Sequence, residues 1–564
     1  MSEWKPRWDK ELSLEEIVEK NTGCPIQELK SPPVDPEIRN LDEAVAFVKD
    51  FLDRGEPVKV MADYDCDGVM SGTILYLAIR AYSGRDIPVR FPKRFSEGYG
   101  LSMNVVNETD AGLIITVDNG IAAVDQIKAA KEKGLSVVIL DHHLMRADGL
   151  IPDADVIVDP HVYNGGFDEY CGAGLALRFA KKLVPDKNGL YTKLTAFAGI
   201  ATVADVMKLI GDNRRMVRNS LDAVRNRNVT VGMDALLDAL NVEHVEADDY
   251  GFLLGPVVNA AGRLDDDGPH KVFSLISIDE GNKEALMFQA AELVEYNNTR
   301  RDLVYTFTDR AKKMADEGSI KEKHQVAIFY SDDFHEGING IIAGQMAEEL
   351  KMPCIVLSPG KKEGLLKGSG RSYGEINLIR LLNTASDCFA GYGGHEGAAG
   401  LTVIKDKLEE LQKRLDETML TEEFASKAGL QDDVILYDKE INIKDVPYFI
   451  SELEELGPFG EGNPKPVFRI DGFELTPKNG KYFRVMGRYG NHVKLFGDDI
   501  SAVAFGMIDR FSGELPAAID IVGTIYANIF NGKTENQIEV VDFIPVEKKK
   551  TEAYDLFAGL LDFR

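Results

Sequence analysis

Carboxylates cluster at three places early in the chain, in Asp63-Tyr64-Asp65-Cys66-Asp67-Gly68, Asp118-Asn119-Gly120 and Asp141-His142-His143. Each cluster ends an apolar run: Val58-Lys-Val-Met-Ala62, Leu113-Ile-Ile-Thr-Val117 or Leu135-Ser-Val-Val-Ile-Leu140. Short β-branched runs without helical spacing read as buried strands. Helical stretches lie between them, which predicts a parallel sheet. Ligands of such sheets bind beyond the carboxyl ends of the strands, so the acids and a histidine would converge on one rim. Massed carboxylates repel one another unless a cation neutralises them. The expected chemistry is therefore that of a metal site with two divalent ions.

Blander readings exist for each fragment. Asp-x-Asp-x-Asp-Gly also opens an EF-hand loop, but that loop needs a bidentate Glu at its twelfth position. Counted from Asp63, that residue is Ile74, so the calcium loop is excluded. A solvated acidic turn remains an alternative, Asp-Asn-Gly alone is usually a turn, and His142-His143 alone could lie on the surface. Their joint placement after three strands favours the metal site.

The elements that must position these groups fit a multidomain α/β protein. At 564 residues the chain is too long for one core. No apolar stretch is long enough to span a membrane, and the N-terminus lacks a signal-peptide pattern. The five cysteines (Cys24, Cys66, Cys171, Cys354, Cys388) are odd in number and form no Cys-x-x-Cys pair. That indicates neither a disulfide framework nor a zinc site and suits a reducing cytoplasm. The net charge of −28 argues against broad nonspecific nucleic-acid binding but leaves room for a narrow basic channel.

Residues 1–40 read as a leader with a helix near 14–19 and a Pro-rich joint. Strands and helices alternate within 41–279, and a long charged helix over 280–317 connects to a second α/β unit, 318–425. That unit holds two small-residue stretches expected as loops, Gly368-Ser369-Gly370-Arg371-Ser372 and Gly391-Tyr-Gly-Gly-His395-Glu-Gly-Ala-Ala-Gly400. Short alternating strands over 432–547 predict a small all-β barrel, followed by a tail, 548–564.

Taken together, the motifs resemble the DHH phosphoesterase superfamily, and most closely its RecJ family of single-strand-specific exonucleases. The three acidic fragments match, as does Ala201-Thr-Val-Ala-Asp205-Val. RecJ-like features continue at Arg94-Phe-Ser-Glu-Gly-Tyr99-Gly-Leu, Asn259-Ala-Ala-Gly-Arg263-Leu-Asp-Asp, Gly-Gly-His395 and Leu456-Gly-Pro-Phe-Gly-Glu-Gly-Asn-Pro464. The resemblance implies a parallel-sheet DHH catalytic domain (41–279), a connector helix (280–317), a DHH-associated domain (318–425) and a C-terminal OB-fold (432–547). It further implies a metal-dependent 5′→3′ exonuclease of recombination and repair, acting on single-stranded DNA as a cytoplasmic monomer away from membranes. A single-strand-binding protein or a helicase would be its partner.

By the same resemblance, Asp65, Asp118 and Asp63 hold one Mn²⁺ or Mg²⁺, and Asp67, Asp118, His142 and Asp205 hold the other, with Asp118 bridging. His143 contacts the phosphoryl oxygens; its bland role is packing or orientation of neighbours. Arg94, Ser369 and Arg371 grip a terminal 5′-phosphate, Ser372 also binds the substrate, and His395 meets a substrate phosphate. Arg263 and Tyr99 line the path of the strand, Tyr99 by stacking on a base or else as a core residue. Without the resemblance, Gly368–Gly370 would read as a turn and Arg371 as a surface residue.

There are two departures from the family pattern. Cys66 lies between ligands, where one soft thiol among hard oxygens reads as packing. Some relatives carry a histidine at the position of Met61, whose place in the metal shell Asp63 would take. In the barrel, Lys481-Tyr482-Phe483-Arg484 and the bases near Lys494 suit stacking and phosphate tracking, although alternating aromatics are more often core. Rival readings are a DHH phosphodiesterase of short oligoribonucleotides or cyclic dinucleotides, a pyrophosphatase, and an inactive DHH scaffold.

Overall fold

The computed structural model describes residues 3–32, 35–146, 148–163, 166–427, 434–511, 516–530 and 532–546. The expected tail, 548–564, lies outside them. The apolar runs of the first domain form strands Val58–Ala62, Leu113–Val117, Ser136–Leu140 and Val156–Val158, with Val89–Arg90 at the edge beside Val58–Ala62. All neighbours in this five-stranded sheet are parallel. The reason is burial on both faces. Val60, Ala62, Ile115, Val117 and Leu140 enter one core, while Met61, Ile114, Val137 and Ile139 enter another. Such strands read as continuous apolar runs.

The chain leaves Val58–Ala62 toward Val89–Arg90 on one side and returns to Leu113–Val117 on the other. This reversal opens a crevice at the carboxyl ends of Val58–Ala62 and Leu113–Val117, the standard ligand position in open α/β sheets. Asp63 to Asp67 and Asp118 stand there.

The connector is the helix Lys283–Gly318, started by the Asn282 side chain, which accepts the Glu284 N–H. It leads to a second sheet ordered Phe389–His395, Ala398–Ile404, Leu365–Arg371, Cys354–Pro359, Ala327–Tyr330. Here the structure corrects an expectation, because the first small-residue stretch is mostly the strand Leu365–Arg371 and the second is a hairpin of Phe389–His395 and Ala398–Ile404 turning at Glu396-Gly397, rather than loops. Leu365–Arg371 pairs on one side with Cys354–Pro359 and on the other with Ala398–Ile404. Glycine is needed where neighbours crowd, since a Cβ at Gly368 would lie 2.3 Å from the Val356 carbonyl oxygen.

The C-terminal unit is a seven-stranded sheet dominated by the hairpin Ala518–Phe530 and Lys533–Val546, with the helix Val446–Leu456 packed on it. Residues of the N-terminal leader complete its core. Leu12, Leu14, Ile17, Val18 and Leu29 pack with Ile450, Leu453, Phe468 and Ile521, and strand Glu3–Pro6 pairs in parallel with Val434–Tyr437. The Trp4 indole donates to Asp542 at 2.8 Å. Deleting residues 1–30 is therefore expected to destabilise the C-terminal unit, because each fully buried leucine or isoleucine contributes about 1.5–3 kcal/mol. Limited proteolysis should show earlier cleavage within 434–546; unchanged protection there would contradict this packing.

No helix among the described residues is long and apolar enough to cross a membrane.

Candidate active site

Each acid sits where its strand hands over to the next segment. Asp65 caps the helix Cys66–Ser83, accepting the Gly68 N–H at 3.1 Å. Asp67, in the first turn of that helix, accepts N–H groups from Gly172 at 2.6 Å and Ala173 at 2.8 Å. Those donors start the helix Gly172–Leu183, whose N-terminus favours negative charge. Only glycine fits at position 172, since a Cβ there would lie 2.6 Å from the Asp118 Cβ. Asp205 follows the helix Leu190–Ala204.

Two backbone conformations mark the site as constrained. Asp118 has φ +59° and Val206, next to Asp205, has φ +57°. For a β-branched residue the left-handed region is a real outlier, and such strain collects where geometry is over-determined by function.

The side chains converge. His142 Nε2 lies 3.1 Å from Asp118 Oδ1, 3.6 Å from Asp67 Oδ2 and 3.7 Å from Asp205 Oδ2. Asp63, Asp65 and Asp118 form a second group, with one oxygen from each within 4.8 Å of the others. Asp118 belongs to both sides of the cluster. Burial, followed by repulsion from neighbouring acids, raises the pKa of Asp63, Asp65 and Asp118. The same causes push Asp205 up to about 9. Burial keeps the His142 pKa low, favouring the neutral imidazole that ligates metals. Asp63 Oδ1 is buried with no hydrogen-bond partner. An orphaned carboxylate oxygen among mutually repelling acids fits hard divalent cations.

His143 is held differently. Its Nδ1 meets Asp141 Oδ1 at 2.8 Å. Burial opposes protonation, but the Asp141 hydrogen bond and charge outweigh it and bring the pKa to about 9. The Tyr99 hydroxyl donates to the Asp118 carbonyl at 3.2 Å and lies 3.2 Å from His143 Nε2, while the residue stays 51% exposed. Tyr99 is thus not a core residue. Met61 is fully buried among apolar side chains. Cys66 packs in the main core and donates its N–H to Asn259 at 2.8 Å. Neither takes part in the cluster.

Arg94 lies 4.9 Å above the Tyr64 ring, and an Arg263 Nη donates to the Gly337 carbonyl at 3.4 Å. The second sheet brings Ser369 and Arg371 against Gly340, in the first turn of the helix Asn339–Leu350. A Cβ at Gly340 would be 3.2 Å from Arg371 Nη2 and 3.4 Å from Ser369 Oγ. Strand pairing on both sides takes up the N–H groups around Arg371 that the loop expectation left free for an anion. The Ser372 hydroxyl is directed to the Ile376 carbonyl. His395 is exposed at the end of its strand, its Nδ1 accepting the Gly397 N–H at 3.2 Å. In the barrel, Tyr482 and Phe483 lean on the core and Lys494 pairs with Glu535 at 2.5 Å, so this stretch offers less stacking surface than its composition suggests.

Sequence reasoning missed the groups that hold the cluster in shape. Asp141 fixes His143 and accepts the Ile121 N–H at 2.9 Å. Asn119 donates to the Met61 carbonyl at 3.1 Å, tying two strand ends together. Asn259 and the Gly172 and Ala173 N–H groups come from distant segments. Of these, Asp141 and Asn119 carried a signal, as members of the acidic fragments.

Three family models match the chain in order. Residues 57–204 match the DHH family N-terminal domain, 323–421 the DHHA1 domain and 437–542 the RecJ OB domain. The single-stranded-DNA-specific exonuclease RecJ of Salmonella typhimurium is 32% identical over 544 residues, which is 90% of this chain and 91% of that protein. The chain belongs to the RecJ family. RecJ of Haemophilus influenzae is 29% identical over 553 residues, covering 92% and 93% of the two chains. RecJ of Bacillus subtilis is 31% identical over 523 residues, but the chain spans only 63% of its length. Among solved structures, RecJ of Thermus thermophilus in complex with Mn²⁺ superposes with a TM-score of 0.75 at 25% identity, covering 94% of this chain and 76% of that one. A manganese-bound exonuclease RecJ gives a TM-score of 0.60 at 27% identity, covering 71% and 98%.

Proposed function

We propose that the protein degrades single-stranded DNA from its 5′ end, hydrolysing phosphodiester bonds with two divalent ions, Mn²⁺ or Mg²⁺. The observation that carries this reading is the place of Asp118. It is shared between the trio with Asp63 and Asp65 and the group around His142, in a RecJ-family chain with a RecJ OB match. Asp63 and Asp65 would hold one ion and Asp67, His142 and Asp205 the other, with Asp118 between them. When bound, such a pair lowers the pKa of a shared water and neutralises the phosphate.

The chain's own groups do the rest. His142 presents a neutral Nε2 to the cluster. His143, kept protonated by Asp141, places positive charge where phosphoryl oxygens gain negative charge. The Tyr99 hydroxyl is anchored on Asp118, which leaves its exposed ring to stack on a base. Arg371 and Ser369, beside the start of the helix Asn339–Leu350, form a receptor for the terminal phosphate together with Arg94. In place of loop N–H groups, that helix start supplies the dipole that favours an anion. His395, on the same domain, reaches a substrate phosphate. All five cysteines are unpaired, which suits a cytoplasmic enzyme. A single-strand-binding protein or a helicase fits as the source of its strands.

The test is digestion of end-labelled single strands bearing 5′-phosphate or 5′-hydroxyl, with Mn²⁺ or Mg²⁺. Products should accumulate from the 5′ end. Arg371→Ala should slow digestion of 5′-phosphorylated strands by about 10–100-fold relative to 5′-hydroxyl strands, the range expected for losing a charge-assisted contact. Release from the 3′ end would overturn the polarity, and equal loss on both substrates would remove Arg371 from the phosphate receptor.

A further inference from the structure

The chain has 93 acidic and 65 basic residues, so an arginine side chain has carboxylates in easy supply. On the connector helix, Arg310 pairs with Asp333, and Asp302 takes Arg488 at 2.7 Å. Arg300 on the same helix behaves otherwise. It is half-buried, makes no ion pair among the described residues, and its Nε is buried without a hydrogen-bond partner. Its neighbours do not neutralise it. Burial, with the charges of Arg94 and Arg300, brings the Arg263 pKa down to about 10, against the opposing charges of Asp65 and Tyr64. Arg94 rests on the Tyr64 ring, and the Arg263 guanidinium donates to the Gly337 carbonyl. Three neighbouring arginines, one of them with a buried Nε left unpartnered, call for an anion.

The position of Arg300 suggests which anion. Two residues further along, Asp302 accepts the Tyr489 hydroxyl at 2.7 Å, and Tyr305 stacks on Tyr489 with ring centroids 3.9 Å apart and 4° between planes. The C-terminal barrel is attached to the connector at this point. On the other side, Arg263 and Arg94 lead past Tyr64 to Asp63 and Asp65. Arg300 thus lies near both Tyr489 of the barrel and Arg263 on the side of the metal centre.

We infer that Arg300, with the exposed Arg301 beside it, binds an internal backbone phosphate of the strand between the barrel and the metal centre. This rests on the nuclease reading above. The contact is to the repeating phosphodiester, not to the 5′ end, so it reads neither the base nor the terminal phosphate.

The experiment uses the full chain and a long fluorescent oligothymidylate, with binding measured in chelator over a salt series and turnover measured with Mn²⁺. Arg300→Gln should reduce the slope of log affinity against log salt by about 0.7, the value of one phosphate contact on a single strand. It should raise KM about tenfold with little change in kcat, equally for 5′-phosphate and 5′-hydroxyl strands. Arg300→Lys should restore the slope. An unchanged slope in Arg300→Gln overturns the inference. So does a loss that Arg300→Lys fails to rescue while the melting temperature falls, since Arg300 would then be structural. If the wild-type chain cuts no single strands, the nuclease reading itself falls. If it cuts them and the Arg300 variants match it, only the inference on Arg300 falls.

Discussion

Asp118→Ala should abolish cleavage, by more than about 10³-fold, because it removes a group shared by both halves of the cluster. Asp118 is placed with unusual care. Its N–H bonds the Leu140 carbonyl at 3.0 Å, its carbonyl accepts the Tyr99 hydroxyl, and its Oδ1 lies 3.1 Å from His142. A backbone at φ +59° aims the carboxylate into the crevice. Removing it should also relieve repulsion among Asp63, Asp65 and Asp205, so the variant should stay folded. Titration with Mn²⁺, followed by calorimetry, should show weaker binding and fewer sites, while single-strand affinity in chelator persists through the arginines. Near-wild-type turnover at saturating Mn²⁺ would sink the two-ion assignment.

Arg214→Met should destabilise the protein by about 3 kcal/mol or more. Arg214 is 1% exposed and pairs with no carboxylate among the described residues. Its guanidinium instead donates to three carbonyls: Leu29 at 2.8 Å, Pro458 at 3.1 Å and Leu456 at 2.5 Å. Each buried carbonyl left without a donor costs about 1–3 kcal/mol. These carbonyls belong to the leader and to the C-terminal unit, while Arg214 belongs to the helix Gly211–Arg225 of the catalytic domain. The loss should therefore appear as separation of the C-terminal transition from the catalytic one in thermal unfolding. A single unshifted transition would show that the junction does not depend on this side chain.

The catalytic sheet and its rim were legible in the sequence for a physical reason. Strands buried on both faces must be apolar throughout, so Val58–Ala62 and Leu113–Val117 announce themselves, and an acid after such a run has only the rim to occupy. Leu365–Arg371 was not legible, since glycine is depleted in strands and is required here only because the Val356 carbonyl comes too close for a Cβ. The stacking surface read from Tyr482 and Phe483 faced the same ambiguity, as an aromatic in a strand suits a base or a core equally well, and here both turn to the core.

The sequence by itself therefore determined which strands form the first sheet and which acids stand at its rim, because burial and charge act on neighbours along the chain. Tertiary structure decided what depends on segments far apart. It brought Gly172 and Ala173 to Asp67, Asp141 to His143 and the leader into the C-terminal core. It also left Arg300 Nε without a hydrogen-bond partner among the described residues and buried Arg214 among carbonyls. An arginine on a helix looks alike in either setting until the partners converging on it, or missing from it, are seen in space.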